Sequence, residues 1–233
     1  MSEPAPLSIA FLVYPQVTQL DFTGPAQFLS RLGRTKIEYV WKSRKPVPTD
    51  AGFSILPTAR FDEVRSADIL CVPGGIACVE MMEDDQALAW VRRVGDGAQW
   101  VTSVCTGSLI LAAAGLLDGY RAACHWAWRD HLALFGAEPV AERVVFDRNR
   151  VTGSGVTAGI DFALALTAAI RGEAHARVIQ LALEYDPAPP FDSGSPERAG
   201  PELLAIYERR MQALAPGRDA RIRAAAERHG FPG

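Results

Sequence analysis

The hydrophobic residues of the chain are concentrated in short runs of strand length, separated by longer amphipathic stretches. The run over residues 7–14 is nearly continuous, and three further apolar-rich runs of strand length lie at residues 36–41, 67–72 and 99–104. Such runs are typical of parallel strands that are buried on both faces. Because strands and helices alternate along the chain, the pattern predicts an α/β sandwich around a mostly parallel sheet.

The helices are marked by the residues at their boundaries. Pro25 is expected to lie in the first turn of a helix that follows a loop over residues 15–23, because proline suits that position. Residues 143–152 predict a β-hairpin. The stretch 197–228 is rich in Ala, Arg and Glu, which favours helix.

We therefore expect two segments within one folded unit. Residues 1–196 are interpreted as the α/β domain, and residues 197–233 as a C-terminal helical extension of the same domain. No internal repeat or low-complexity tract argues for a further division.

Composition excludes several classes of partner. The 233 residues are 48% hydrophobic and 22% charged, with a net charge of −3, so we expect neither nucleic acid nor a membrane surface as a partner. No apolar run reaches the roughly 18 residues of a membrane span, and residues 1–6 lack the basic start of a signal peptide. The four cysteines have no C-x-x-C spacing, which argues against zinc. A cytoplasmic protein with reduced thiols and no bound metal is predicted.

One junction between a strand and a helix carries the strongest candidate for chemistry. The run that ends at Val104 is followed by an Ala- and Leu-rich stretch, with Cys105 at the turn between them. A side chain at such a turn projects above the sheet, as in a nucleophile elbow. The helix N-terminus favours an anion, so we expect a lowered pKa for Cys105. The alternative is that Cys105 is a small buried hydrophobic residue.

Other loops are expected to meet Cys105 at the same edge of the sheet, because ligands of open α/β sheets bind beyond the carboxyl ends of the strands. Asp21 lies in the first of these loops. It is either a cap for the following helix or a carboxyl beside Cys105, where burial would raise its pKa and let it donate a proton.

Backbone groups could complete this site. Gly74 and Gly75 follow the third apolar run and Thr106 follows Cys105. Their N–H groups would form an anion-stabilising pocket, although a plain turn after a strand explains the two glycines equally well.

The sequence offers few candidates for a histidine that could act as a general base. Of the four histidines, only His125 is expected near the site, and the residue directly after Cys105 is Thr106. The sequence therefore favours a Cys–Asp pair over a Cys–His pair.

Together, these segments resemble the ThiJ/PfpI superfamily and, within it, the isonitrile hydratases. The resemblance covers about residues 7–196 and rests on these motifs: FLVYP (11–15), LDFTGP (20–25), VPGG (72–75), SVCTG (103–107), AAAGLLDG (112–119), HW (125–126), VTGSGVTAGID (151–161) and LEYDPAPPF (183–191). The Asp of the first loop and the Pro-Pro-Phe tail point to the hydratases. Thr106 departs from the His of protease-like members, and Asp21 from the Glu of chaperone- and deglycase-like members.

The resemblance implies a flavodoxin-like three-layer sandwich, as in class I glutamine amidotransferases, and a homodimer. It implies that Cys105 is the nucleophile and Asp21 its acid–base partner. The residues expected to contact the substrate are Thr106, Gly75, Val156, Phe22 and Trp126, the last three of them walls of an apolar pocket.

The implied reaction is hydration of an isonitrile, R–NC, to an N-substituted formamide, without a metal or organic cofactor. The Cys105 thiolate would attack the terminal carbon, Asp21 would supply a proton, and water would hydrolyse the thioimidate.

Two other functions stay open. One is a ligand-binding module similar to the N-terminal domains of AraC-type regulators, although 233 residues leave little room for the helix-turn-helix region that follows in those proteins. The other is redox or stress sensing through an oxidisable Cys105.

Overall fold

The four apolar runs form adjacent strands at the centre of one sheet. The structure, a computed structural model, describes residues 6–231. Residues 1–5 and 232–233, which end the two predicted segments, lie outside the described residues. The interpretation that residues 1–6 lack a signal peptide therefore falls almost wholly outside them. In chain order the strands are β1 (Leu7–Leu12), β2 (Thr35–Trp41), β3 (Val47–Pro48), β4 (Ser54–Ile55), β5 (Ala59–Arg60), β6 (Ile69–Val72), β7 (Trp100–Val104), β8 (Arg121–Ala122), β9 (Glu138–Pro139), β10 (Val144–Asp147) and β11 (Arg150–Gly153).

Within residues 6–231 the sheet has seven strands in the order β10-β11-β7-β6-β1-β2-β5. All neighbours are parallel except β10 and β11, which form the predicted hairpin. The central order β2-β1-β6-β7-β11 is the 2-1-3-4-5 order of flavodoxin-like folds. The predicted flavodoxin-like sandwich with a mostly parallel sheet is therefore confirmed.

Helices cover both faces of the sheet. They are α1 (Gln19–Leu29), α2 (Cys78–Met82), α3 (Asp85–Gly97), α4 (Gly107–Ala113), α5 (Ala158–Arg171), α6 (Glu173–Ala182), α7 (Pro196–Leu214) and α8 (Arg218–Arg228), with a 3-10 segment at Arg129–Phe135. Helix α1 packs against α5, and α5 against α6, whereas α2 and α3 pack against α4. Because both faces are covered, the β1 residues Ile9 to Leu12 are almost fully buried, which explains the continuous apolar run.

Helix α1 begins earlier than predicted. It starts at Gln19, and Pro25 lies inside it. Proline there removes one helical hydrogen bond, to the carbonyl of Asp21, and packing of the buried residues Phe22 and Phe28 against the core outweighs that loss. Asp21 therefore lies in the first turn of a helix and not in a loop.

The C-terminal extension consists of two helices where one continuous helix was expected. Gly217 has a φ of +68° and follows Pro216, and together they end α7 and allow α8 to start in a new direction. Helix α8 buries Ile222, Ala225 and Ala226 in the core. Among the described residues, no helix is both long and apolar enough to cross a membrane.

Candidate active site

Cys105 stands at a strained turn between β7 and α4, as predicted for a nucleophile elbow. Its φ is +59°, a left-handed conformation that costs a residue with a Cβ about 1 kcal/mol or more. Its backbone N–H donates to the carbonyl of Gly153 at 3.1 Å. Only glycine fits at position 107, because a Cβ there would lie 2.1 Å from the carbonyl oxygen of Val72. Neighbouring strands therefore hold the elbow in place.

The carboxyl of Asp21 is buried beside this elbow. Asp21 is 1% exposed, and its Oδ2 accepts the backbone N–H of Gly74 at 2.8 Å. Within residues 6–231, Oδ1 meets no hydrogen-bond partner. The expected helix-capping alternative is wrong, because the cap position is Thr18 and the N–H of Gln19, at the start of α1, donates to the carboxylate of Asp50.

Burial raises the pKa of Asp21 to about 8, and the charge of Asp50 adds to the shift. The N–H of Gly74 and a hydrogen bond with the Cys105 side chain act in the opposite direction. Desolvation dominates because the charged carboxylate loses its hydration. At neutral pH the carboxyl is therefore protonated and able to donate, as the sequence predicted.

The predicted lowering of the Cys105 pKa is wrong. Burial raises the pKa of this thiol well above its usual value, and the charges of Asp21 and Cys124 raise it further. The N–H of Thr106 donates to the sulfur and opposes the shift. Helix α4 has only seven residues, and Cys105 is 5% exposed, so the lost hydration outweighs the helix dipole. The resting pair is a neutral thiol beside a neutral carboxylic acid.

The backbone N–H groups expected to form an anion pocket already have separate acceptors. The N–H of Gly74 donates to Asp21, that of Gly75 to Thr106 Oγ1 at 2.9 Å, and that of Thr106 to Cys105. The Thr106 hydroxyl donates in turn to the Gly75 carbonyl at 3.0 Å. These groups therefore position the acid and the thiol, and direct contact of Gly75 or Thr106 with a substrate stays a prediction.

A cavity of about 560 Å³ is lined by Cys124, a neighbour of Cys105, whereas neither Cys105 nor Asp21 lines it. Its lining includes Cys124, His125, Trp126 and Val156, so two of the predicted pocket walls face one space. The start of α7 closes another side, through residues 194–198.

Phe22 is not brought to this cavity. Its ring is 1% exposed and packs edge-on against Tyr39, with the ring centroids 6.0 Å apart. Successive helical residues point about 100° apart, so with Asp21 directed at the elbow, Phe22 is turned into the core. The expectation that it forms a pocket wall is corrected on this ground.

Buried hydroxyls join the elbow to the segment that lines the cavity. Ser103 and Ser108 share a hydrogen bond of 2.8 Å, and Ser108 donates to the carbonyl of Ala123 at 2.6 Å. The N–H of Ala123 donates to Thr152 Oγ1 at 2.8 Å. This network places Cys124 beside Cys105, where its charge adds to the pKa shift.

His125 lines the cavity as an uncharged ring. Burial, with the positive charge of Arg218, lowers its pKa to about 4. His125 therefore carries no charge near neutral pH, and proton transfer by the Cys105–Asp21 pair stays a prediction.

Three side chains near the elbow were missed by the sequence analysis. Cys78 hydrogen-bonds with Thr106, and Cys124 lines the cavity. Tyr207, on α7, packs its ring against Trp126 at 4.7 Å. The one usable signal was a lone aromatic residue in an otherwise charged and aliphatic helix.

Comparisons with known proteins agree with the observed fold. Residues 7–169 match the model of the DJ-1/PfpI family. Isonitrile hydratase from Pseudomonas putida is 51% identical over 193 residues, which are 83% of this chain and 85% of that protein. The crystal structure of a ThiJ/PfpI family protein from Pseudomonas syringae has a TM-score of 0.88 and 44% identity, covering 95% of this chain and 91% of that one.

A transcriptional regulator is a more distant relative. The HTH-type transcriptional regulator GbdR of Pseudomonas aeruginosa is 29% identical over 76% of this chain but only 49% of the regulator. The family model and the 51% identical relative both span most of the sheet and the elbow. The chain therefore belongs to the DJ-1/PfpI family.

Proposed function

We propose that this protein hydrates isonitriles to N-substituted formamides, with Cys105 as nucleophile and Asp21 as proton donor and acceptor. The observation that carries the proposal is the state of Asp21: a protonated carboxyl that is anchored through Oδ2, unpartnered at Oδ1 among the described residues, and placed beside a buried thiol. The 51% identity to a protein named isonitrile hydratase supports the substrate class.

A neutral acid and a neutral thiol suit the chemistry of this substrate. The terminal carbon of an isonitrile carries a lone pair and accepts a proton, after which it is strongly electrophilic. Asp21 donates its proton to that carbon, and the sulfur of Cys105 attacks it while the thiol proton passes to the carboxylate. The product is the thioimidate R–N=CH–S–Cys105, and Asp21 is protonated again.

Water completes the reaction at the same carbon. It adds to the C=N bond, with one proton reaching the nitrogen through Asp21, to give R–NH–CH(OH)–S–Cys105. The C–S bond then breaks as the hydroxyl proton returns to sulfur by way of the carboxyl. The formamide R–NH–CHO leaves with the free thiol restored, so that R–NC and one water are consumed. No metal or organic cofactor takes part in this scheme.

The occupied N–H groups support this reaction over acyl transfer. Peptide or ester hydrolysis builds negative charge on an oxygen and uses free donors to stabilise it. At this elbow the amides of Gly74, Gly75 and Thr106 are already bound to protein acceptors. Addition to a carbon that is protonated as it is attacked leaves no such charge to stabilise.

The regulatory and redox-sensing alternatives have less support. GbdR, a relative named as a regulator, is 29% identical, and the chain spans about half its length. A buried thiol with a raised pKa is also a poor target for oxidants, which react with thiolates.

The predicted homodimer and intracellular location complete the proposal. Helix α6 and the segment after it expose Val178, Leu181 and Phe191 at 65%, 82% and 80%, an apolar surface that a second copy would cover. In analytical ultracentrifugation we expect the wild type to sediment as a dimer and Leu181→Glu to sediment as a monomer. The four cysteines are free and buried, which is compatible with a reducing compartment.

The deciding experiment measures formamide formation from cyclohexyl isonitrile. The purified protein is incubated in ¹⁸O-labelled water, and N-cyclohexylformamide is quantified by mass spectrometry. We expect one ¹⁸O per product molecule, together with loss of the reaction in Cys105→Ala. Equal rates for Cys105→Ala and the wild type would refute the mechanism, and no product from any isonitrile would refute the function.

A further inference from the structure

One side chain beside the site comes from outside the segment that matches the family. The family model ends at residue 169, whereas Tyr207 lies on α7, Pro196–Leu214. The C-terminal extension therefore adds to the surroundings of Cys105 something that the family core does not supply.

The ring of Tyr207 is held by aromatic neighbours. Its centroid is 4.7 Å from that of Trp126 and 6.1 Å from that of His125, and the Tyr207 and His125 rings are nearly parallel at 19°. Trp126 and His125 both line the 560 Å³ cavity. Tyr207 and Trp126 also line a neighbouring cavity of about 220 Å³. Tyr207 therefore lines the smaller cavity and packs its ring against two residues that line the larger one.

The phenol of Tyr207 lies within the range of electrostatic interaction with Cys105. Burial raises the pKa of its phenol, and the charge of Cys105 raises it further, while Arg218 and a hydrogen bond with Trp128 act the other way. Trp128 is itself held by Arg218, whose guanidinium carbon is 4.9 Å from the indole ring. The ring of Tyr207 therefore has two aromatic neighbours, and its hydroxyl has a hydrogen-bond partner in Trp128.

We propose that Tyr207 is a specificity-determining residue, whose ring closes the substrate pocket over Cys105 and limits the size of the R group that the pocket accepts. The inference rests on the proposed isonitrile hydration. The terminal carbon must reach the sulfur, so the linear C–N–R axis directs R away from Cys105 and towards the aromatic wall. A rigid ring there packs against a small R group and excludes a large one.

Substrate size is the direct test. We compare kcat/KM for isopropyl isonitrile and 2-naphthyl isonitrile in the wild type, Tyr207→Ala and Tyr207→Phe. Gln212→Ala, an exposed position on the same helix, is the matched control. Tyr207→Ala is expected to shift the naphthyl-to-isopropyl ratio at least about tenfold towards the larger substrate, mainly through KM, as is typical when pocket volume changes. Tyr207→Phe and Gln212→Ala should keep the wild-type ratio. An unchanged ratio in Tyr207→Ala overturns the proposal.

A second measurement does not depend on turnover. The rate at which N-ethylmaleimide alkylates Cys105 is followed by peptide mass spectrometry. Because the missing ring would open access to the thiol, we expect this rate to rise at least about tenfold in Tyr207→Ala, a factor that corresponds to about 1.4 kcal/mol. The rate should stay unchanged in Gln212→Ala. An unchanged alkylation rate in Tyr207→Ala also overturns the proposal.

The two failures can be told apart. If the wild type hydrates no isonitrile but Tyr207→Ala still raises the alkylation rate of Cys105, the proposed function is refuted, whereas the position of the Tyr207 ring over Cys105 is supported. If the wild type is active but Tyr207→Ala alters neither measurement, only the role of Tyr207 fails. If Tyr207→Ala does not fold, Tyr207→Trp replaces it. The larger ring should lower both the naphthyl-to-isopropyl ratio of kcat/KM and the alkylation rate of Cys105. Unchanged values of both would overturn the proposal.

Discussion

The backbone N–H of Gly74 donates to Oδ2 of Asp21 at 2.8 Å, joining the loop after β6 to the first turn of α1. This bond orients a buried carboxyl that also hydrogen-bonds with the Cys105 side chain. It engages Oδ2 and leaves Oδ1 without a partner in the described part of the chain. Since the N–H of Gly74 and the Cys105 side chain only partly offset the lost hydration, the carboxyl stays protonated near neutral pH and is positioned as a proton donor.

Replacing Asp21 by Asn should stabilise the protein while it slows the reaction. Asp21 has a pKa of about 8 in the folded chain against 3.8 for an ordinary Asp, so between these values only the unfolded chain ionises. The wild type therefore loses stability as pH rises from about 4 to 8, by about 1.4 kcal/mol per unit of pKa difference at most. An amide avoids this cost and can still accept the N–H of Gly74.

Urea unfolding at pH 4, 6 and 8 measures this effect. We expect the stability advantage of Asp21→Asn over the wild type to grow with pH, and turnover to fall by about 10²–10⁴ because a general acid is lost. A stability difference that is the same at all three pH values would show that Asp21 ionises normally in the folded protein.

Activity should decline above the pKa of Asp21. If the protonated carboxyl starts the reaction, kcat/KM of the free enzyme is constant below about pH 8 and falls about tenfold per unit above it. A pH series from 6 to 10 with cyclohexyl isonitrile tests this, with the residual activity of Asp21→Asn as the control that should lack the transition. Activity that rises steadily to pH 10 would instead indicate that the Cys105 thiolate starts the reaction.

The Cys105 thiol should resist ionisation. Burial and the nearby Asp21 raise its pKa, so the difference in ultraviolet absorbance between the wild type and Cys105→Ala should show no thiolate up to about pH 8.5, the ordinary value for a cysteine. In Asp21→Asn the repulsion by the carboxylate is absent, and we expect the Cys105 pKa to fall. A wild-type midpoint below about 8.5 would restore the helix-dipole argument made from the sequence.

A methyl group at Gly74 should disrupt the site from within. A Cβ there would lie 2.5 Å from the backbone nitrogen of Thr106 and 2.9 Å from Oδ2 of Asp21. Gly74→Ala is therefore expected to separate the acid from the elbow and to reduce kcat/KM by about 10² or more, as a misplacement near 1 Å does.

Gly97→Ala provides the matched control for this substitution. Gly97 ends α3, and a Cβ at this position would meet no atom within 4 Å among the described residues. The activity and thermal unfolding of Gly97→Ala should therefore stay close to those of the wild type. Wild-type turnover by Gly74→Ala would show that the close approach of these loops is not needed for the reaction.

Much of the fold and the central pair of the site could be predicted from the chain alone. Parallel strands that are buried on both faces are mostly apolar, so residues 7–14, and the Trp and Val residues within 99–104, predicted strands of one sheet without any knowledge of their contacts. A strand that turns directly into a helix marks an elbow, which identified Cys105. With no histidine beside it, Asp21 was the remaining candidate for proton transfer.

Only the tertiary structure decided the ionisation state of Cys105 and the residues that surround the cavity. A helix dipole can be inferred from a local pattern, but desolvation depends on everything packed around a group, and it reversed the predicted pKa shift of Cys105. The rotation of α1 turned Phe22 into the core, and α7 brought Tyr207 against Trp126 from a distant part of the chain. Local pattern determines which segments become strands and helices, whereas burial and long-range contact are properties of the assembled layers.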